Sequence, residues 1–301
     1  AGHLPVEVSP EVAEALERRS PIVALESAFL SHGLPIPDNI ETAIAMQEAI
    51  RAEEAISAMV GLADGRFKVG LNTHEIEEIG RGAGVEKINY ADLVPALTNY
   101  RFGGTTVSAT VYIAHRSTIS IVVTGGIGGV HVGSKADISS DLTVLAQTPL
   151  VLICSGAKTI VDIPATYEWL ETHGISVIGY KTDQLPAFYM GSSGISLRHW
   201  VADPEMLVDM IRHWRWLGLE QALLVAVPVP WEAEVAGEVL ERALAEALRE
   251  AEGRDIRGVQ LTPFLLAELN RLTQGATLRA NRALLVNNAR VAAQIAVALG
   301  G

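Results

Sequence analysis

The chain has one cysteine, Cys154, which excludes an intrachain disulfide and any Cys-x-x-Cys metal knot. Aromatic residues make up only 5% of its 301 positions, so a core must rest on Ala, Val, Leu and Ile. Basic residues are outnumbered: 23 Lys and Arg stand against 35 Asp and Glu, a formal charge of −12, with no basic block. Nonspecific nucleic-acid binding needs the opposite sign to neutralise backbone phosphate, and is excluded. An anionic ligand must instead find a local positive pocket on an acidic body. No apolar run reaches transmembrane length, and no basic-then-apolar leader opens the sequence. The expectation is a cytoplasmic protein with no membrane partner and no nucleic-acid partner. Repeats, low-complexity tracts and linkers are also missing, so residues 1–301 are expected to form one domain. HExxH, Cys/His clusters and GxSxG do not occur, which removes zinc hydrolysis and serine-esterase chemistry.

What is present is apolar: 49% hydrophobic residues against 19% charged excludes a disordered chain, a coiled coil and a collagen-like repeat. Five short runs read as strands: 22–25, 119–123, 150–153, 176–178 and 222–226. Most lack apolar/polar alternation, which suits parallel strands covered on both faces. Helical patterns lie between them. Ser9-Pro10 and Thr262-Pro263 each place an N-cap residue before a proline at the first helical position. Asp38 with Glu41 reads as a capping box opening a helix to about Arg51, and 232–252 reads as a solvated outer helix. This alternation predicts an α/β protein with a mainly parallel central sheet and helices on both faces.

Four segments that follow apolar runs carry polar groups. The densest in glycine is Thr124-Gly125-Gly126-Ile127-Gly128-Gly129-Val130-His131-Val132-Gly133, with five glycines in nine residues. Such a backbone can adopt positive φ and turn several N–H groups onto one anion; a tight turn that needs glycine for space is the plainer reading. It is not a dinucleotide fingerprint, because His131 stands where the third glycine is required. Ser155-Gly156-Ala157-Lys158-Thr159 fails as a phosphate-binding P-loop, since Ala157 separates glycine from lysine. Lys158 is either a desolvated nucleophilic amine or an ordinary lysine capping a strand end. Asp137-Ile138-Ser139-Ser140-Asp141 reads either as a helix N-cap with a first-turn acid, or as oxygen ligands for a hydrated Mg²⁺ or Mn²⁺. Glu26 is either a general acid with a raised pKa or a structural carboxylate bonded to loop amides. Four such strand-end loops can line one pocket.

Ala24-Leu25-Glu26-Ser27, Ser31-His32-Gly33, Lys68-Val69-Gly70-Leu71, Gly103-Gly104-Thr105-Thr106-Val107, Thr124 through His131, Asp137-Ile138-Ser139, Gly156-Ala157-Lys158, Ile178-Gly179-Tyr180, Leu185-Pro186-Ala187-Phe188, Thr262-Pro263-Phe264-Leu265-Leu266 and Asn287-Asn288-Ala289 follow one another in this order. In them the chain closely resembles the pseudouridine-5′-phosphate glycosidases, the indigoidine synthase A-like family, from roughly Glu11 to Ala298. The resemblance implies a three-layer α/β/α fold, one Mn²⁺ per subunit and a homotrimer. It implies reversible cleavage of pseudouridine 5′-phosphate to ribose 5-phosphate and uracil. By matching motif, Lys158 corresponds to the family's Schiff-base lysine, Glu26 to its proton donor and Asp137 to its metal ligand. Lys87, Val107, Ser139, Ser140 and Asp141 correspond to substrate contacts. Thr124 and His131 fall in the matching glycine loop and Asn281 matches a polar residue of the pocket.

The chain departs from the family pattern in places. Val132 replaces an arginine, the segment before Asp137 is about two residues short, Ala28 replaces a threonine, and Asn89-Tyr90-Ala91 replaces a more basic run. These changes reduce the positive charge available for a phosphate, with Lys135 expected to restore some of it. Two other readings stand beside the first. One is a Schiff-base lyase or aldolase acting on another sugar phosphate. The other is a noncatalytic binding protein, against which Glu26, Asp137 and Lys158 argue together, since affinity alone needs no nucleophile.

Overall fold

A computed structural model describes residues 6–132, 137–257 and 260–300. Lys135 lies outside them. Among the described residues the main sheet has eleven strands, nine on one path and two beside it. Along its path they run Val6–Val8, Arg66–Val69, Ile56–Ala63, Ile22–Leu25, Ile121–Val123, Val151–Cys154, Leu223–Ala226, Ser176–Tyr180 and Trp200–Val201. From Ile56–Ala63 to Trp200–Val201 every neighbouring pair is parallel. The five expected strands are all present, with ends moved by up to two residues. Their unalternating sequences are explained by burial on both faces: all residues of 22–25, 121–123 and 151–154 are buried.

The sheet is mixed at one side, where Ile56–Ala63 pairs antiparallel with both Arg66–Val69 and Phe102–Thr105. Phe102–Thr105 in turn carries Glu86–Ile88 in parallel, which brings Lys87 toward the ends of the central strands. From Ile22–Leu25 the chain passes first to one neighbour, Ile56–Ala63, and later to the other, Ile121–Val123. The connection reverses direction there, and ligands of open α/β sheets sit beyond the carboxyl ends of strands at such a point.

The longest helix, Ala276–Leu299, packs on Asp38–Ala52 and crosses the strands 22–25, 121–123 and 151–154. Its alanines at 280, 289, 292, 293 and 296 are buried, and their small side chains let it lie close to the sheet. No helix among the described residues is long and apolar enough to cross a membrane.

Ser9 caps its helix as expected, accepting from Val12 N with Pro10 in the first turn. Three local expectations are corrected. Asp38 and Glu41 form no capping box; both carboxylates reach across to Arg282, pinning the helix Ala276–Leu299 to Asp38–Ala52. The helix expected to be capped by Thr262 and to start at Pro263 starts two residues earlier, at Leu261, so Thr262 and Pro263 lie within its first turn, where a missing N–H leaves no bond unmade. The outer helix starts at Gly237 rather than Glu232; residues Trp231–Ala233 form a separate 3₁₀ turn.

Candidate active site

Three adjacent strands end side by side and supply the centre of the site. Ile22–Leu25 is followed by Glu26, Ile121–Val123 by Thr124, and Val151–Cys154 by the turn that carries Lys158. Gly156 makes that turn possible. Its φ is +77°, and a Cβ there would collide with the carbonyl of Pro186.

A cavity of about 400 Å³ opens over these ends, within the usual size for a small-molecule site. Nine of the candidate residues line it: Glu26, Lys87, Val107, His131, Asp137, Ser139, Ser140, Asp141 and Lys158. A small inner pocket of about 40 Å³ shares Glu26, Lys87 and Lys158, and adds His32, Phe188 and Asn281. Thr124 is the one candidate that does not reach the wall. It is fully buried behind Glu26, and its hydroxyl donates to Glu26 Oε1 at 2.8 Å.

Burial sets the electrostatics. Glu26 is 5% exposed, and its carboxyl is pushed above the ordinary carboxylate range, first by burial. The charge of Lys158 and the Thr124 hydroxyl pull it the other way. The Lys87 ammonium is pushed down by burial and by the charge of Lys158, against the opposing pull of Asp141 and Glu26. The site therefore holds an acid biased toward its protonated form and a lysine biased toward its neutral form.

The glycine loop works differently from the expected anion cradle. Gly125, Gly126, Gly128 and Gly129 all lack positive φ. Gly128 and Gly129 are needed because a Cβ would run into the side chains of Ser139 and Thr166. The loop's N–H groups are also largely committed within the protein: Ile127 to Gly156 O, Gly128 to Asp141, Val130 to Thr166 and His131 to Asp137 O. Asp141 is likewise committed, its two oxygens accepting from Ser108 N and Gly128 N, each at 2.8 Å. Ser139, not Asp137, caps the helix Ser140–Leu145.

Asp137 is thus separated from Asp141 in role. Its side chain is 54% exposed, with Oδ2 3.5 Å from His131 Nδ1. Among the described residues no three His, Cys, Asp or Glu side chains converge on one point. A single exposed carboxylate of this kind would hold only a hard ion that keeps most of its water, as Mn²⁺ or Mg²⁺ does.

Three residues appear in the sequence only as motif members, yet they shape the site. His32 lines the inner pocket; burial and the Lys87 charge hold its imidazole toward the neutral form, and Nδ1 lies 2.6 Å from Ser31 Oγ. Phe188 is buried at φ +62°, with its N–H bonded to Ser155 O at 2.9 Å. Asn288 is fully buried and bonds the loops that follow two of the strands.

The family model described as indigoidine synthase A like protein matches residues 11–298. This chain belongs to the indigoidine synthase A-like family. It is 45% identical to a pseudouridine-5′-phosphate glycosidase of Caldanaerobacter subterraneus subsp. tengcongensis, over 98% of this chain and 96% of that protein. It is 43% identical to a pseudouridine-5′-phosphate glycosidase of Staphylococcus aureus, with 98% and 96% covered. Among solved structures, an indigoidine synthase A-like protein of Thermotoga maritima superposes with a TM-score of 0.90 at 34% identity, covering 99% of this chain and 98% of that one. The prealnumycin C-glycosynthase AlnA, solved in complex with ribulose 5-phosphate, superposes with the same TM-score, identity and coverage. The three-layer α/β/α expectation is borne out.

Proposed function

We propose that this family member cleaves the C–C glycosidic bond of pseudouridine 5′-phosphate, reversibly, to ribose 5-phosphate and uracil, in pseudouridine catabolism. The observation that carries the reading is a buried carboxylic acid, Glu26, facing two lysines, Lys158 and Lys87, across one cavity. Its relatives of similar length bear the name of that activity.

The bond to be broken joins C1′ of ribose to C5 of uracil. A carbon leaving group is poor, and the two flanking carboxylates of ordinary glycosidases are the wrong apparatus for it. In the proposed route Glu26 donates its proton to O4′ as the C1′–O4′ bond breaks and the ribose ring opens. The amine of Lys158 then adds to C1′, forming a C–N bond, and its proton passes to the Glu26 carboxylate. Glu26 delivers that proton to C5, the C1′–C5 bond breaks and uracil leaves, and the nitrogen lone pair forms the imine to C1′. Water adds to that imine and frees open-chain ribose 5-phosphate and the amine. The net change consumes one water, and covalent catalysis divides one high barrier into lower ones.

Lys87 lines the same cavity wall beside Lys158, where its side chain can meet the anionic oxygens of the substrate. Ser139, Ser140, Asp141, His131 and Val107 contact the sugar phosphate, and Asn281 meets the substrate in the inner pocket. Thr124 acts from behind, through Glu26. Asp137 would hold one Mn²⁺ per subunit, and the ion would supply positive charge that orients water and the substrate's oxygens. The active form is a cytoplasmic homotrimer.

The test is incubation with pseudouridine 5′-phosphate and Mn²⁺, following free uracil. Release of uracil from the phosphorylated but not the unphosphorylated nucleoside supports the reading; no release from either ends it. A second reading has one observation behind it, the ribulose 5-phosphate complex of the C-glycosynthase neighbour. In that reading the same lysine serves a lyase or aldolase of another sugar phosphate. Borohydride trapping with ribulose 5-phosphate, in the absence of uracil release, would favour it.

A further inference from the structure

We propose that Asn288 is a positioning residue that sets the proton donor Glu26 and the loop of the nucleophile Lys158 in register with each other, acting through Thr124 and Ser155. The inference rests on the Schiff-base reading for the roles of Glu26 and Lys158, but its geometry stands apart from any substrate.

Parallel strands hold their ladder only as far as the strands themselves run, and the loops beyond are free to separate. Here the ladder between the second and third strand ends is carried onward. Thr124 N donates to Ile153 O at 3.0 Å, Ser155 N to Gly125 O at 2.8 Å, Ile127 N to Gly156 O at 3.1 Å and Lys158 N to Ile127 O at 2.9 Å. Asn288 closes this zipper from the helix side. Its Nδ2 donates to the Thr124 carbonyl at 3.0 Å, and its amide meets Ser155 Oγ at 3.0 Å from Nδ2 and 3.3 Å from Oδ1.

Asn288, Thr124 and Ser155 are each fully buried, and Leu284, Leu285, Ala289 and Ala292 on the same helix are apolar. A leucine would pack in such a place, so an amide there needs partners on both its ends. With the Thr124 backbone pinned, its β-branched side chain has little χ1 freedom, and the hydroxyl stays on Glu26 Oε1 at 2.8 Å. One amide on the helix thus reaches both catalytic strand ends.

Glu26 is faced by Lys158, Lys87 and Asp141 as well as by Thr124. A hydroxyl donating to a carboxylate favours its charged form, so removing the donor moves Glu26 further up. Glu26 is active as an acid, and its loss of a proton sets the basic limb of the kcat profile. Thr124→Val should move that limb to higher pH by about one unit, and Thr124→Ser should restore it. Asn288→Leu should move it in the same direction by less, lowering kcat roughly 10- to 100-fold while KM changes little. The double variant should show no shift beyond that of Thr124→Val, because both act along one path. Asn288→Ser, whose hydroxyl is too short to reach both loops, serves if the leucine variant does not fold.

The same titration is read without turnover by ¹³C NMR of Glu26 in the free protein, using Glu26→Gln to assign the signal. A raised Glu26 pKa in Thr124→Val and in the Asn288 variant supports the proposal, even if no uracil is ever released. Asn288 variants that lower thermal stability yet leave the Glu26 titration unmoved would overturn it. Uracil release unaffected by a confirmed shift would instead remove Glu26 from the proton-donor role, which is a failure of the functional reading alone.

Discussion

Asp141 accepts the backbone N–H of Gly128 at 2.8 Å, tying the glycine loop to the helix that opens at Ser140. Its second oxygen accepts from Ser108 N, also at 2.8 Å, so one buried carboxylate joins three segments around the cavity. Asp141→Asn keeps the shape but turns an NH₂ group toward one of these donors. Leaving a buried N–H unmatched costs about 1–3 kcal/mol. Urea denaturation should show that loss as a lower midpoint at an unchanged slope. A midpoint equal to the parent's would mean the carboxylate does not hold the loop.

Glu26 predicts a pH-dependent stability of its own. Burial holds its carboxyl above the ordinary carboxylate range, so the folded chain keeps a proton that the unfolded chain has lost. That contribution is complete below the unfolded pKa, about 4.3, and is lost as pH rises through the folded value. Glu26→Gln stays neutral throughout. Melting temperatures of parent and variant should agree near pH 4 and diverge upward, with the variant the more stable at pH 8. A constant difference across that range would show that Lys158 and Lys87 fully offset the burial.

The central fold was readable because the strands that build it are buried on both faces, and their runs of Val, Ile and Leu have no other natural reading. Glu26, Thr124 and Lys158 share a site for the same reason: each follows one of three strands that pair side by side. The mixed side of the sheet was not readable. Phe102–Thr105 contains two glycines and Glu86–Ile88 is only three residues long, so neither carries a strand signal. The role of the loop glycines depends on Ser139 and Thr166, which are distant in sequence, and spacing cannot reveal that contact. Asn288 hides for a similar cause. Its partners are 133 and 164 residues away, and a buried amide in a helix looks like any polar helical residue until the sheet beneath it is seen. The Asp38 and Glu41 pattern misled because a long-range arginine, Arg282, took the carboxylates a cap would have used.

The metal assignment is open to a direct measurement. Asp137 has an exposed carboxylate with no backbone donor on either oxygen among the described residues, unlike Asp141. Titration of the protein with Mn²⁺, followed by loss of the free-ion EPR signal, should reveal one site per chain. Asp137→Asn should abolish it, while Asp141→Asn should retain binding. Uracil release should fall on chelation and return with added Mn²⁺. Full binding in the Asp137 variant would place the ion elsewhere.

Assembly is separable from the chemistry. Several large apolar side chains stay open to solvent, among them Val94 at 79% and Trp216 at 84% exposed. Covering such residues by neighbours of the same kind is consistent with a closed symmetric oligomer. Sedimentation velocity should give a species of three times the 32.1 kDa chain mass at assay concentration. A stable monomer would remove the trimer and leave the active-site argument untouched.

The final prediction separates the two lysines. Lys158 and Lys87 line the same cavity, and each acts on Glu26 through its charge. Burial pushes the Lys87 ammonium down, so the structure holds a second amine able to act as a nucleophile. Family resemblance assigns the imine to Lys158. Lys158→Arg keeps a positive charge in place, but a guanidinium stays protonated and cannot form an imine. The variant should fold and bind Mn²⁺ like the parent, and release essentially no uracil. Borohydride added during turnover of the parent should reduce the imine and leave one ribose-phosphate adduct on Lys158, located by peptide mass. Lys87→Arg keeps a cation on the cavity wall but cannot form an imine, and should lower the rate without removing the adduct. An adduct on Lys87 in the parent would exchange the two roles. Uracil release by Lys158→Arg at the parent's rate, with no adduct on either lysine, would overturn the covalent route itself.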